Sequence, residues 1–277
     1  MRILNLGAGV QSSAIYHLIM RGEIPPVDYA LFADTQDEPS WVYKQLEWLK
    51  CQGGPPIIQV SRGCLGDDLV NGENATGQRF ASIPAFVGGG AAGQSPGMTR
   101  RQCTREYKIE PIERWIRSEA LGLAKFAHIP KDVVITQLFG FSTDEPQRAV
   151  RMGMQFSQRN ARWECEFPLL ADELCMTRLQ CQEYIESASG FQWRSSRCVY
   201  CPYQTNRLWQ EIKTHDPAGF KRAIEVDKNM RSQDAIYSRG INNPLYVHRS
   251  AKPLHDCKLN AGQTDLFDTE CQDGCFL

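Results

Sequence analysis

The sequence predicts an α/β protein: a doubly wound parallel sheet with helices on both faces, plus a smaller helical, cysteine-rich C-terminal region. Three observations carry this. Short apolar runs alternate with segments of helical period through the first half. The turns after those runs hold glycines, serines and acids, the residues of ligand-binding strand ends. From about Phe167 the alternation stops, and helices, loops and clustered cysteines replace it. The boundary falls between residues 1–165 and 166–277. At 277 residues the chain can bury one large core or a core with an appendage.

Ile3, Leu4 and Leu6 form the first strand, which ends at glycine. GAGVQSS, Gly7 to Ser13, is then a strand-to-helix turn, with Ala14, Ile15, Leu18 and Ile19 at helical spacing behind it. Tyr29 to Ala33 is a second strand ending at Asp34-Thr35, Trp41 to Lys50 a helix, and Pro56 to Val60 a third strand. GGGAAGQSPG, residues 88–97, reads as a flexible loop, either a lid or a plain surface linker. A helix follows from about Pro111 to Ala120, and Val133 to Phe141 is a further strand that runs into GFSTDEPQR, Gly140 to Arg148.

Glycines let a backbone approach a ligand, and the first amides of a helix lack intrahelical partners. GAGVQSS therefore reads as an anion site, with a helix cap after a tight turn as the plain alternative. Neither the Walker pattern nor the dinucleotide fingerprint is present: no Gly-Lys-Ser/Thr occurs here, and Ser12 stands at the third glycine position. In GFSTDEPQR, Asp144 and Glu145 could hold Mg²⁺ on phosphates and Arg148 could contact a phosphate, or Thr143 or Asp144 could simply cap a helix.

Hydrophobic residues make up 42% and charged residues 23%, which argues for a globular chain and against disorder. A formal net charge of −1 excludes a global bias toward polyanions and leaves only local basic clusters such as Arg100-Arg101. No apolar run approaches membrane-spanning length, and Arg2 leads into a short strand, not a leader's apolar core. The expectation is a cytoplasmic protein with no membrane partner.

Eleven cysteines, an odd number, argue against a disulfide framework in a reducing compartment. Cys51, Cys165, Cys175 and Cys181 sit among apolar residues and read as small buried hydrophobes, while Cys64 and Cys257 fit no pattern. Cys198-Val-Tyr-Cys201-Pro puts two thiols on one turn, which favours metal or cluster binding over a redox pair placed outside a βαβ unit. Cys103 lies among Arg100, Arg101, Arg105 and Lys108, which favours thiolate and predicts a positive rim around it. Glu270-Cys271 and Cys275 close the chain.

In ordered pieces over nearly the whole length, the chain resembles the phosphoadenosine phosphosulfate (PAPS) reductase family of the N-type ATP pyrophosphatases (adenine nucleotide α-hydrolases). GAGVQSS resembles the pyrophosphate-binding loop, and FADTQDEP the second-strand segment where adenine and ribose sit. QCTREYKIEPIERWI resembles the Cys-Cys-x-x-x-Lys-x-x-Pro-Leu segment, GFSTDEPQR the Gly-x-x-x-x-Glu-x-x-Arg loop, SSRCVYCP the later Cys-x-x-Cys of a 4Fe–4S site, and Glu270-Cys271 the terminal reductive nucleophile. Three departures stand out: Gln11 replaces the usual aspartate, Gln102-Cys103 replaces paired cysteines, and Cys275 is extra.

The resemblance implies a PP-loop domain that binds ATP and Mg²⁺ through Gly7, Gly9, Gln11, Ser12, Ser13, Asp34, Thr35, Gly140, Asp144 and Glu145. It implies catalytic roles for Cys103, Cys271 and Arg148. It also implies a 4Fe–4S cluster on Cys103, Cys198 and Cys201, with Cys271 or Cys275 as a fourth ligand or persulfide carrier. Zinc on Cys198, Cys201, Cys271 and Cys275 is the alternative. The expected reaction is ATP-dependent sulfur transfer to a nucleic-acid acceptor, by DNA phosphorothioation or tRNA thiolation. A cysteine desulfurase and other modification subunits are the expected partners. PAPS or adenylyl-sulfate reduction and a non-catalytic nucleotide-binding subunit are the alternatives.

Overall fold

The computed structural model describes residues 1–74, 76–89, 96–159, 161–232 and 241–259. Five strands form one wholly parallel sheet: β1 (Arg2–Asn5), β2 (Tyr29–Asp34), β3 (Ile57–Ser61), β5 (Ile135–Leu138) and β6 (Trp163–Glu166). Their order is β3-β2-β1-β5-β6. Strand order reverses beside β1, so the crevice at the carboxyl ends of β1 and β5 is the switch point where such sheets bind ligands. β4 (Phe86–Val87) pairs antiparallel with β7 (Leu245–Tyr246) in a separate two-stranded ribbon.

The central strands are buried on both faces; β2 accordingly reads as an unbroken apolar run from Tyr29 to Ala33, while β1 and β5 also bury Asn5, Thr136 and Gln137. On one face Leu4, Leu6, Ala30 and Phe32 pack against α1 (Val10–Met20), α2 (Ser40–Lys50) and α6 (Arg178–Ser189). On the other, Ile3, Leu31 and Ile135 pack against the helix through Glu110–Trp115 (α4) and against α5 (Pro146–Ser157). A third core joins α3 (Leu65–Asn71) and Phe80 to Ala85 with α7 (Asn206–His215), α8 (Pro217–Ser232) and Val199-Tyr200. The later helices thus share a core with residues before the expected boundary.

Several elements differ from expectation. The first helix starts at Val10, so Gln11, Ser12 and Ser13 lie inside its first turn. The strand expected over 133–141 is hydrogen-bonded only over Ile135–Leu138. β6 is an additional parallel strand, paired through Ile135↔Trp163 and Leu138↔Glu166. The helix expected to begin at Pro111 runs on from a π-helical segment at Arg105–Ile109. Pro111 supplies no N–H and its ring crowds the preceding turn, and a π-bulge is one way a helix accommodates that. Neither Thr143 nor Asp144 caps α5: its N-cap is Glu145, without a side-chain cap bond, and Pro146 opens the helix. Among the described residues, no helix is long and apolar enough to cross a membrane.

Candidate functional site

The chain leaves β1 through Gly7-Ala8-Gly9 and enters α1 at once. Ala8 lies in the left-handed backbone region, φ 52°, a strained setting for a residue with a side chain. The Gly7 amide donates to Ser12 Oγ at 3.1 Å, which folds the serine back under the loop. Two close approaches fix its neighbours. A Cβ on Gly140 would stand 2.9 Å from the Ser12 nitrogen, and one on Gly9 would stand 3.2 Å from the Ser196 nitrogen. The segment after β5 and the segment before the Cys198 turn therefore close over the first turn of α1.

Gly7, Gly9, Gln11, Ser12, Gly140 and Arg148 line one cleft together with Ser196. The Arg148 guanidinium lies 4.6 Å from the Phe141 ring centre and pairs with Glu145 at 2.6 Å. A helix N-terminus faced by an arginine suits a phosphate. Gln11 donates to Glu145 Oε2 at 3.0 Å and accepts from Arg178 Nη1 at 3.2 Å. An aspartate here would set two carboxylates together, so the glutamine departure agrees with its surroundings.

Other expected nucleotide ligands face inward. Asp34 is buried and accepts from the Gln36 amide, Tyr43 Oη and Gln59 Nε2 at 2.7–3.0 Å. Burial and Asp34 itself push the Tyr43 phenol well up, which keeps it a donor. Asp144 accepts from the Arg178 amide at the start of α6. Ser13 Oγ is buried with no hydrogen-bond partner among the described residues. Neither Asp34, Asp144, Glu145 nor Ser13 lines the cleft.

A larger cavity of about 490 Å³ adjoins the cleft and shares Asn5 and Phe139 with it. Gln137, Arg101, Arg105 and Met152 are among its other walls. Asn5 Nδ2 donates to Gln137 Oε1 at 3.1 Å, while Gln137 Nε2 is buried with no partner among the described residues. An orphaned donor beside an arginine-edged space, next to a phosphate-type loop, fits a nucleotide.

Arg101 also borders a third cavity, and here the separated cysteines meet. Cys103, Cys198 and Cys201 all line it, with Thr35, Lys108, Arg197 and Tyr203. The turn closes through Cys201 N to Cys198 O at 3.0 Å, and the Val199 amide donates to Asp37 O at 2.8 Å. Thr35 Oγ1 and Cys198 Sγ lie 3.1 Å apart. Three thiols and three cations (Arg101, Lys108 and Arg197) line this apolar pocket, and thiols are the donor type that iron–sulfur clusters and zinc take. In this structure no three His, Cys, Asp or Glu side chains among the described residues are close enough to hold one metal ion. Cys271 and Cys275 lie outside the described residues.

The expected basic rim is only partly realised. Lys108 is buried and points inward, 3.2 Å from Glu38 Oε1, whose side chain is fully buried. Glu38 also accepts from Thr35 Oγ1 at 3.4 Å and Ser196 Oγ at 3.3 Å, and Cys198 Sγ lies 3.9 Å from it. Arg105 is exposed and reaches Glu110 at 3.3 Å, while Arg101 lies over the Tyr203 ring at 5.5 Å. Behind the cysteine turn, Asp37 accepts from Tyr200 Oη, the Gly66 amide and Arg222 Nε at 3.1 Å each.

The other cysteines divide. Cys181 is buried, and burial pushes its thiol up to about 12. Cys165 is half-buried in β6, and its thiol is also raised by burial. Cys51 and Cys175 are exposed, contrary to the reading of both as buried hydrophobes: Cys51 caps the end of α2 and begins a turn, and Cys175 follows a turn, with φ 42°. Cys64 opens α3 and donates to Asp37 Oδ2 at 3.2 Å, and burial pushes it up to about 11.

Glu38, Asp37, Ser196 and Arg197 escaped the sequence reading as individual residues. Their signal was present, since acids and polar residues flank both quoted motifs, FADTQDEP and SSRCVYCP. Comparison with protein-family models, curated proteins and solved structures gives no match.

Proposed function

We propose that this protein is an ATP-dependent sulfurtransferase that activates an oxygen of a nucleic-acid acceptor and replaces it with sulfur. One observation carries the reading: the phosphate-type cleft and the three-cysteine cavity are joined by shared walls, through Asn5 and Phe139 on one side and Arg101 on the other. ATP would place its phosphates on Gly7, Gly9, Ser12 and Arg148, and its nucleoside in the larger cavity. The acceptor oxygen attacks the α-phosphorus, the bond to the β-phosphate breaks, and diphosphate leaves. Arg148 offsets the charge that develops on the phosphates. Sulfur at the sulfide level then bonds to the activated atom, and AMP leaves with the oxygen.

Cys103, Cys198 and Cys201 would hold a 4Fe–4S cluster, or zinc as the alternative; a cluster would supply a place to bind sulfur near the activated atom. Mg²⁺ would accompany the ATP phosphates. Asp144 and Glu145 already serve Arg178, Gln11 and Arg148. A desulfurase partner would supply the sulfur as a persulfide, and an external thiol reductant would supply the two electrons that bring it to the sulfide level.

The test is diphosphate release from ATP by anaerobically purified protein, with single-stranded DNA, transfer RNA or no acceptor, alongside iron, sulfide and zinc analysis. Acceptor-stimulated diphosphate release is expected. Sulfite formation from PAPS with thioredoxin, without ATP turnover, would establish the reductase instead. ATP binding without any turnover would leave the non-catalytic subunit.

A further inference from the structure

A fourth cavity, of about 500 Å³, lies on the other side of the cysteine turn. Arg178, Arg194, Arg197 and Arg207 line it against a single carboxylate, Glu211. The chain as a whole carries a formal net charge of −1, so this concentration of cations is local. Glu211 is engaged with Arg194 at 2.8 Å. Arg207 is exposed at the start of α7, with the Gln192 and Gln210 amides in the same wall. Phe191, next in sequence to Gln192, is 38% exposed and stacks on Trp193, with ring centres 5.2 Å apart.

Its ends matter most. Arg178 reaches from this groove to Gln11 of the phosphate-type loop at 3.2 Å. Arg197 lines both the groove and the cysteine cavity, and its neighbours Ser196 and Cys198 line the cleft and the cysteine cavity. The groove wall is therefore continuous in sequence with the walls of both proposed reactive places.

We infer that this groove holds the sugar–phosphate backbone of a single-stranded nucleic acid and delivers one of its nucleotides to the junction of cleft and cysteine cavity. This rests on the sulfurtransferase reading and names the acceptor's path. Arginine forks match phosphate oxygens, and Phe191, one residue outside the groove wall in sequence, leaves part of its ring exposed for a base that extends beyond the groove. An acidic protein tail is the competing occupant, and it would lack the stacking.

Arg207→Glu is the decisive variant, because a carboxylate in the first turn of α7 suits the helix dipole and leaves folding intact. Fluorescent single-stranded DNA and RNA oligonucleotides and polyglutamate are titrated against wild type and variant over a range of salt. We expect the variant to bind oligonucleotide about tenfold more weakly. We also expect the plot of log affinity against log salt to be shallower by roughly 0.7 per lost phosphate contact. Unchanged affinity and slope in a variant of wild-type Tm overturn the groove while leaving nucleic-acid binding in place. Tighter binding of polyglutamate than of either oligonucleotide overturns it in favour of an acidic protein. Wild type that binds no oligonucleotide removes both the groove and the acceptor reading, while diphosphate release measured separately reports on the nucleotide chemistry alone.

Discussion

Two positions show how closely single residues are set. At Gly140 even a methyl group would meet the Ser12 nitrogen at 2.9 Å, and that contact is backbone, which cannot swing aside. Gly140→Ala should therefore destabilise by about 1–3 kcal/mol, as overpacking does, and displace the first turn of α1. Urea unfolding and ATP titration by calorimetry read the two effects, and a variant that binds ATP normally would show that the cleft tolerates the shift. Lys108 and Glu38 make the second case. They form a buried pair beside the cysteines, so removing one leaves the other charge without its partner. Lys108→Met should cost about 3–5 kcal/mol, and Lys108→Met with Glu38→Gln should recover much of it. A double-variant loss equal to the sum of the Lys108→Met and Glu38→Gln single losses would mean that the pair is not coupled. The lysine's motif was legible in the sequence. Its burial was not, because a lysine among arginines looks like one more exposed cation until the chain folds Glu38 against it.

At the scale of elements, sequence pattern succeeded where one physical signal dominated. β1, β2, β3 and α2 are apolar runs bounded by polar turns, and their limits agree with expectation to within a residue or two. β6 alternates Trp163 and Cys165 with Glu164 and Glu166 at a sheet edge, but over four residues only, so its period is too short to read and partnership with β5 decides it. β7 is a two-residue strand held by its surroundings. Val247 and Leu254 donate backbone amides to Asp227 of α8, which is fully buried. His248 continues this tie, 2.9 Å from Asn206 Oδ1 and 2.8 Å from Ser250 Oγ. Burial first, then Arg249, lowers its pKa below the ordinary 6.5, against an opposing pull from Asp227. The unfolded imidazole then takes up a proton that the folded one resists. This contribution is whole above about pH 6.5 and is lost as pH falls below it. His248→Gln should flatten the fall in Tm between about pH 7 and 5, leaving the share owed to His17, whose pKa burial also lowers. A slope as steep as wild type would rule the contribution out.

For the whole molecule, the doubly wound arrangement was readable because β and α segments alternate, and short crossovers between parallel strands leave few topologies. The third core was not readable. It joins residues 65–85 to residues 199–259 across more than a hundred intervening positions, and no local period records such a pairing. The meeting of Cys103 with the Cys198 turn is of the same kind. Each half has its own signal in the sequence, yet only the fold brings them to one cavity.

The stretch from Ser195 to Cys198 walls the cleft, the groove and the cysteine cavity at once, and its backbone rests on Gly9. On the proposed reading, metal on the thiols and ATP in the cleft both press on this stretch, and we expect it to couple them. If metal on the thiols changes ATP affinity by some factor, ATP must change metal affinity by that same factor. Chelating the metal should accordingly weaken ATP binding by roughly 5-fold or more, the lower end of ordinary coupling. Saturating ATP should slow metal loss to a chelator. Calorimetry on metal-replete and metal-stripped protein measures the first arm and competition with a chromogenic chelator the second; identical ATP affinities in the two forms would show the ribbon to be inert. On the proposed reading, a shortage of iron or sulfur would loosen the grip on ATP with no change in any residue of the cleft.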